Sequence, residues 1–269
     1  DECQTIVKSL FADRDFADRV SLSGVNSINW ARIAAQMVYY ATSQAALAGQ
    51  QIRFIVPSGN MGDALAGYVA ARCGLLPGGL DIVCAVNEND SLLRLFNSGV
   101  MSKRQTVATP SPAMDISIPS NFERILFELS DRDSDAVRSV YERFKQAGEA
   151  DLPETAKGRM GCSGIRVQSV NNADTLEEMR QFEAETGWLL CPHTAVGTRV
   201  ARLSPSPDVA TVVLATASPA KFPETVLEAT GREARLPDFA TGVMTNAEVF
   251  ERAEPTLGAV RARVEQLAG

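Results

Sequence analysis

The sequence predicts an α/β fold with a mostly parallel sheet and helices on both faces. Three observations carry this expectation. Short apolar runs of strand length at 52–56, 80–86, 165–170 and 209–215 alternate with longer segments of helical spacing. Those runs are apolar almost throughout, as in strands covered on both sides. The stretch Val56–Gly67, VPSGNMGDALAG, reads as a strand end, a glycine turn and a helix start. With 269 residues, 45% of them hydrophobic, the chain can bury one large core, or one large and one small lobe.

Residues 3–11 have helical spacing. Residues 26–48 predict a longer helix, with Ile28, Ile33, Met37, Val38 and Ala41 near the 3.6-residue period and Asn26 or Ser27 as its cap. Asn29 and Arg32 then share a face near its start. After the strand at 52–56 and the glycine loop comes a helix ending near Gly74. A strand at 80–86 and a short helix at 90–97 follow, then helices at 119–130 and 134–147. Residues 149–164 are rich in glycine and read as an irregular loop or seam. A strand at 165–170, helices at 174–186 and 194–203, a buried strand at 209–215 and a helix at 222–230 complete the alternation. Two C-terminal helices, broken by Pro255, finish the chain.

Composition excludes several functions. Twenty-six basic against 33 acidic residues, net −7, with no Lys/Arg run, give no nucleic-acid surface. No apolar run approaches the ~20 residues of a membrane span, and no signal peptide is visible. The cysteines, Cys3, Cys73, Cys84, Cys162 and Cys191, are odd in number and lack a C-x-x-C pair. They are expected to be reduced, mostly buried thiols of a cytoplasmic protein. The single histidine, His193, excludes a zinc site of several histidines, and a lone histidine at a helix start is most simply structural.

In SGNMGD, Gly59 and Gly62 allow backbone N–H groups to approach an anion, and the following helix adds its positive end. Ser58 and Asn60 can cap or donate, and Asp63 sits in the first turn. The spacing is neither G-x-G-x-x-G nor G-x-x-x-x-G-K-[ST], so nucleotide binding is not favoured. A plain turn that binds nothing fits the local residues equally well. Four further stretches have the look of sites: Asn26–Arg32, polar at a helix start; Ala108–Asp115, held extended by two prolines and suited to a substrate-lining or a structural loop; Cys191–Gly197; and Ala215–Pro223, whose Thr216 falls at the ligand edge of a strand.

Taken in order, NSINWARIAAQ, VPSGNMGDALAG, NEND, SPAMDI, PSNFER, PHTAVG and ATASPAKFPE resemble the C-terminal part of threonine synthases of the longer, yeast- and enterobacterial-like type. The resemblance runs from the first residues to about 235. It implies the pyridoxal 5′-phosphate (PLP) dependent fold type II, tryptophan synthase β-like, here incomplete. It also implies the reaction that family performs, O-phospho-L-homoserine and water giving L-threonine and phosphate, with PLP as electron sink. The implied division is 1–48 as remnant of a smaller lobe with its connecting helix, 49–235 as the PLP-phosphate lobe, and 236–269 as C-terminal helices.

By resemblance, Gly59, Asn60, Met61, Gly62 and Asp63 cradle the PLP phosphate, and Thr216 bonds the pyridine nitrogen. Asn26, Ser27, Asn29 and Arg32 match the substrate-phosphate cluster, where a guanidinium fork suits a phosphate. Two departures stand out. Ser218 replaces the histidine of the family's TAHPAKF motif, and Met61 replaces a usual Phe. The family's Schiff-base lysine belongs to an LAFKD-like motif, and none of Lys8, Lys103, Lys145, Lys157 or Lys221 stands in such a setting. An SGDTG-like motif is absent too. The chain therefore reads as a part of the enzyme whose partner is the missing N-terminal part, inactive alone. Two alternatives stay open: a split or inactive threonine synthase-like half, and a non-catalytic α/β protein that binds a phosphorylated metabolite.

Overall fold

The computed structural model describes residues 2–47 and 50–268. The expected domain boundary between 48 and 49, and the last residue of the helix expected at 26–48, lie outside the described residues. The chain divides into two compact units, one of Asp1–Asn26 with Leu236–Gly269 and one of Ser27–Arg235.

The first unit opens with α1 (Glu2–Ala12) and α2 (Arg14–Arg19). Asp13 caps α2 by accepting from Phe16 N–H at 3.0 Å, a helix that helical spacing alone did not reveal.

The second unit begins with α3 (Trp30–Ala46). Its cap is Asn29, whose side chain accepts from Ala31 N–H at 2.8 Å, rather than Asn26 or Ser27. Residues 27–28 form a turn, so the helix starts four residues later than its apolar spacing suggested. Next come β1 (Ile52–Pro57), α4 (Gly62–Arg72), β2 (Ile82–Val86), α5 (Ser91–Ser98) and β3 (Val100–Ser102). A 3-10 turn at Pro112–Met114 precedes α6 (Phe122–Leu129) and α7 (Ser134–Ala147).

The segment 149–164 is ordered, not irregular. It holds β4 (Glu149–Asp151), antiparallel to β3, and α8 (Glu154–Met160). Leu152, Ala156 and Met160 recur every fourth residue and are buried, a helical stripe that the glycines obscured. Then follow β5 (Ile165–Ser169), α9 (Asn172–Thr186), α10 (Pro192–Leu203), β6 (Ala210–Val213), a 3-10 turn at Pro219–Lys221 and α11 (Pro223–Thr230).

The first unit resumes with a 3-10 helix at Asp238–Met244 and ends in α12 (Leu257–Ala268). Only one of the two C-terminal α-helices expected is therefore present among the described residues. Thr241, Gly242 and Val243 are weak helix formers in the place of the other. Within this unit α12 packs on the N-terminal segment. Arg261 bonds Asp13 at 2.6 Å and lies 4.4 Å over the buried Phe16 ring.

The main sheet has the order β5-β2-β1-β6, parallel throughout. Successive side chains face opposite ways. Phe54 and Val56 of β1 and Ile82, Cys84 and Val86 of β2 join the core under α3 and α4. Ile55, Val83 and Ala85 join the core under α10, with Val196 and Val200. β6 is an edge strand with Thr211 exposed, so it is less buried than its apolar run suggested. Of the cysteines, Cys84 and Cys191 are buried but Cys3, Cys73 and Cys162 are exposed, against the expectation that most are inside. Burial pushes the Cys84 thiol up to about 12. Among the described residues no helix is long and apolar enough to cross a membrane.

The contact of α4 with its neighbours is tight at Gly67. A Cβ there would lie 2.5 Å from the Tyr40 ring and 2.6 Å from Ile82 Cδ1. Gly67→Ala is expected to cost about 1–3 kcal/mol by overpacking. An unchanged urea midpoint would contradict this packing.

Candidate active site

The parallel sheet delivers β1 and β6 side by side, and the loops after them open on the same cavity. It has a volume of about 350 Å³ and is lined by Ser27, Arg32, Gln36, Tyr39, the run Pro57–Asp63, Ala113, Ala215 and Thr216. Open parallel sheets place ligands at this edge, beyond the carboxyl ends of their strands.

The loop between β1 and α4 presents a run of backbone N–H groups without acceptors. Among the described residues, the N–H groups of Gly59, Asn60, Met61, Gly62, Asp63 and Ala64 have no protein acceptor. A helix start leaves its first N–H groups unpaired, but the run here begins three residues earlier. Met61 stands at φ 56° in the left-handed region, with its side chain buried. Alternation of hand turns successive N–H groups toward one point. Gly59 is required because a Cβ would come 2.6 Å from the Ala113 carbonyl oxygen.

Asparagines hold the loop in place. Asn121, fully buried, donates from Nδ2 to the carbonyls of Asn60 at 3.0 Å and Ser27 at 2.9 Å, and from its own N–H to Asn60 again at 3.1 Å. The Asn60 side-chain oxygen accepts from Ser120 N–H at 3.1 Å and from Ser120 Oγ at 3.0 Å. Arg124 completes the bracket, bonding Asn121 Oδ1 at 2.9 Å and the Ile28 carbonyl at 2.8 Å. PSNFER is thus the clamp that joins the start of α3 to the glycine loop. Its helical pattern alone gave no hint of that task.

Asp63 is a partly buried carboxyl in the first turn of α4, with Oδ1 unpartnered. Burial raises it from 3.8 to about 6, and the Tyr40 hydroxyl offsets only part of this.

Thr216 is exposed to the cavity and tied behind to the start of α10. Its N–H donates to Thr194 Oγ1 at 3.2 Å, and the two hydroxyl oxygens are 3.5 Å apart. Cys191 caps α10, its sulfur accepting from Thr194 N–H at 3.4 Å. Burial pushes the Cys191 thiol up, but bonds from His193, Thr194 and Thr216 outweigh it and hold it down at about 6. His193 is buried, accepts from Ala113 N–H at Nε2 (3.2 Å) and packs on Phe222.

Of the residues singled out in the sequence, Ser27, Arg32, Gly59, Asn60, Met61, Gly62, Asp63 and Thr216 share the cavity. The Asn29 side chain serves as helix cap, and Asn26 is the last residue of the first unit's N-terminal segment. The 108–115 loop contributes Ala113 alone. Its Thr109 and Asp115 form a polar network with Asn87 and Asn89 at 2.7–2.9 Å, which makes it a structural loop. Gln36 and Tyr39 were not anticipated. They follow Arg32 at i+4 and i+7, so the polar face of α3 was the available signal. Ser218 caps the 3-10 turn at 219–221 through Ala220 N–H at 3.3 Å.

Comparison with known proteins agrees with this architecture. The chain is 39% identical over 260 residues to a threonine synthase of Pseudomonas aeruginosa, covering 94% of this chain and 53% of that protein. It superposes with a TM-score of 0.90 and 41% identity on a PLP-bound threonine synthase from Brucella melitensis, covering 100% of this chain and 57% of that one. The chain corresponds to the C-terminal portion of threonine synthases. Residues 194–264 match the family model described as threonine synthase, C-terminal. The yeast threonine synthase structure gives a TM-score of 0.82 at 31% identity, again with 100% of this chain and 57% of that one covered. The chain spans about half the length of the curated relatives it matches.

Asp63 makes stability depend on pH with a definite sign. A carboxyl whose folded-state value is raised holds a proton that the unfolded chain releases. Stability therefore falls as pH rises from about 4 to about 6. Asp63→Asn is expected to flatten that slope and to exceed the parent above pH 6 by on the order of 1–2 kcal/mol. Parallel stability curves for the two proteins between pH 4 and 7 would refute the assignment.

Proposed function

We propose that this chain supplies the phosphate-binding side of a threonine synthase active site. The reaction converts O-phospho-L-homoserine and water to L-threonine and phosphate, the last step of threonine biosynthesis. The observation that carries the reading is the run of six unpaired N–H groups from Gly59 to Ala64, the first five on residues that line a cavity with Arg32 and Thr216. Such a run fits a phosphate monoester, and the left-handed Met61 and the Cβ-free Gly59 leave that run no other evident use. Thr216 supplies a hydroxyl on the same wall for a ring nitrogen. These residues fit PLP, which when bound supplies an electron sink for the carbanion chemistry.

The roles of the chain's own residues follow. Gly59, Asn60, Met61, Gly62 and Asp63 bind the cofactor phosphate through backbone N–H groups. A neutral Asp63 avoids placing a second negative charge beside it, and binding of a dianion favours that protonated form. Arg32, with no ion-pair partner among the described residues, and Ser27 face the substrate phosphate. A guanidinium stabilises the phosphate as it departs with both bonding electrons. Gln36 and Tyr39 orient the remainder of the substrate from the same face of α3.

No lysine lines the cavity among the described residues. The proton transfers at Cα and Cβ therefore need a group from elsewhere, and this chain by itself is expected to bind without turnover. Its partner in that case is the N-terminal part of the same enzyme, and its place is the cytoplasm.

The test is a fluorescence titration of the chain with PLP. Saturable binding, competed by inorganic phosphate, is expected. Thr216→Val should weaken it about tenfold, the equivalent of one hydrogen bond. O-phospho-L-homoserine should release no phosphate. Absence of saturable binding, or equal affinity in Thr216→Val, would overturn the reading.

A further inference from the structure

Two consecutive side chains at the start of α10 reach the two walls of the cavity. Thr194 Oγ1 accepts the Thr216 N–H at 3.2 Å and so holds the loop after β6. His193, the residue before it, accepts the Ala113 N–H at Nε2, also at 3.2 Å. Ala113 in turn bears on the glycine loop. A Cβ on Gly59 would come 2.6 Å from the Ala113 carbonyl oxygen and 3.1 Å from Met114 Cα. The places of Gly59 and Thr216 are thus both referred to one short piece of helical backbone.

The Ala113 N–H has no acceptor within its own 3-10 turn. It precedes the first such bond, which runs from the Met114 N–H to the Ser111 carbonyl at 2.9 Å. The imidazole therefore serves as that turn's cap from 80 residues away. The rest of the loop is fixed separately, since Asp115 Oδ1 accepts from Asn87 at 2.8 Å and from Thr109 Oγ1 at 2.7 Å. The His193 ring is buried, and its centre lies 4.8 Å from that of Phe222, in the stretch that carries Thr216. One turn further on, Gly197 brings α10 onto Val213 and Pro57, the last residues of β6 and β1. The start of α10 accordingly keeps a fixed place against the sheet.

We infer that His193 is a positioning residue that sets the distance between the Gly59–Asp63 loop and Thr216, so that the cavity selects a ligand of one length, with a phosphate at one end and a hydrogen-bonding ring atom at the other. This rests on the cofactor reading given above and adds the residue that gauges the ligand. Without the imidazole acceptor the support behind Gly59 shifts, while the Asn121 clamp keeps the loop's own shape. A ligand seated on the loop then misses Thr216, and a ligand as short as phosphate is unaffected.

The probe is pyridoxine 5′-phosphate, which has no aldehyde and needs no lysine, with inorganic phosphate as the short ligand. Affinities are measured by calorimetry on the full chain, on H193F, H193N, H193Q and T216V, and on H193F combined with T216V, under conditions where each is folded. H193F keeps a ring against Phe222 and loses the acceptor. H193N carries an amide too short to reach Ala113, and H193Q brings an oxygen close to the Nε2 position. H193F and H193N should bind pyridoxine 5′-phosphate about five- to tenfold more weakly, the equivalent of one hydrogen bond, and inorganic phosphate within about twofold of the parent. H193Q should bind both as the parent does. In the T216V background H193F should cost less than about twofold, because the contact it misplaces is already gone. Parent-like affinity in H193F and H193N, equal losses for the two ligands, or additive losses in the double variant would overturn the inference about His193 and leave the cofactor reading standing. Absence of saturable probe binding in the parent overturns both.

Discussion

Everything at the cavity depends on one buried side chain. Asn121 holds the carbonyl of Asn60 with two donors and the carbonyl of Ser27 with one. Without that restraint the loop's carbonyls would be free to turn inward and its N–H groups outward. A buried amide with three satisfied bonds costs little when complete and much when broken, since each orphaned carbonyl loses its solvation. The clamp is therefore both the lock of the glycine loop and the tie between that loop and the start of α3, where Arg32 begins the polar face.

The two ends of the cavity are positioned by different means. At the glycine-loop end the backbone does the work, through a left-handed Met61 and a glycine pressed on Ala113. At the Thr216 end side chains do it, through the linked hydroxyls of Thr194 and Thr216 and the sulfur of Cys191. The sheet register joins the ends. β1 pairs with β6 from Ile52 and Ala210 to Ile55 and Val213, so Ser58 and Thr216 emerge at the same edge. Gly197 lets α10 lie close under this edge, since a Cβ there would meet Val213 at 2.9 Å and Pro57 at 3.1 Å.

The sheet was legible because its strands are apolar runs bounded by glycine and turn residues, and the glycine turn after β1 because strand, glycine and helix start are contiguous. What escaped was encoded at longer range or in too few residues. Three-residue β3 and β4 carry no period to detect. Asn29 won over Asn26 and Ser27 as cap because three polar residues compete there and only the fold chooses among them. Leu152, Ala156 and Met160 were hidden by the glycines around them. The part played by Asn121 depends on residues 61 and 94 positions away, so no local pattern could announce it. Cys191 looked like a buried thiol, and its neighbour Thr216 lies 25 residues on.

The most direct measurement is a paired one on Asn121→Ala: unfolding free energy by urea, and affinity for pyridoxine 5′-phosphate by calorimetry. Asn121→Asp serves as a near-isosteric control that loses the Nδ2 donors. The account predicts a loss of about 1–3 kcal/mol in stability for the alanine variant. It also predicts at least tenfold weaker probe binding in both variants, under conditions where each is fully folded. Parent-like affinity in folded Asn121→Ala and Asn121→Asp would contradict the claim that this clamp shapes the phosphate site.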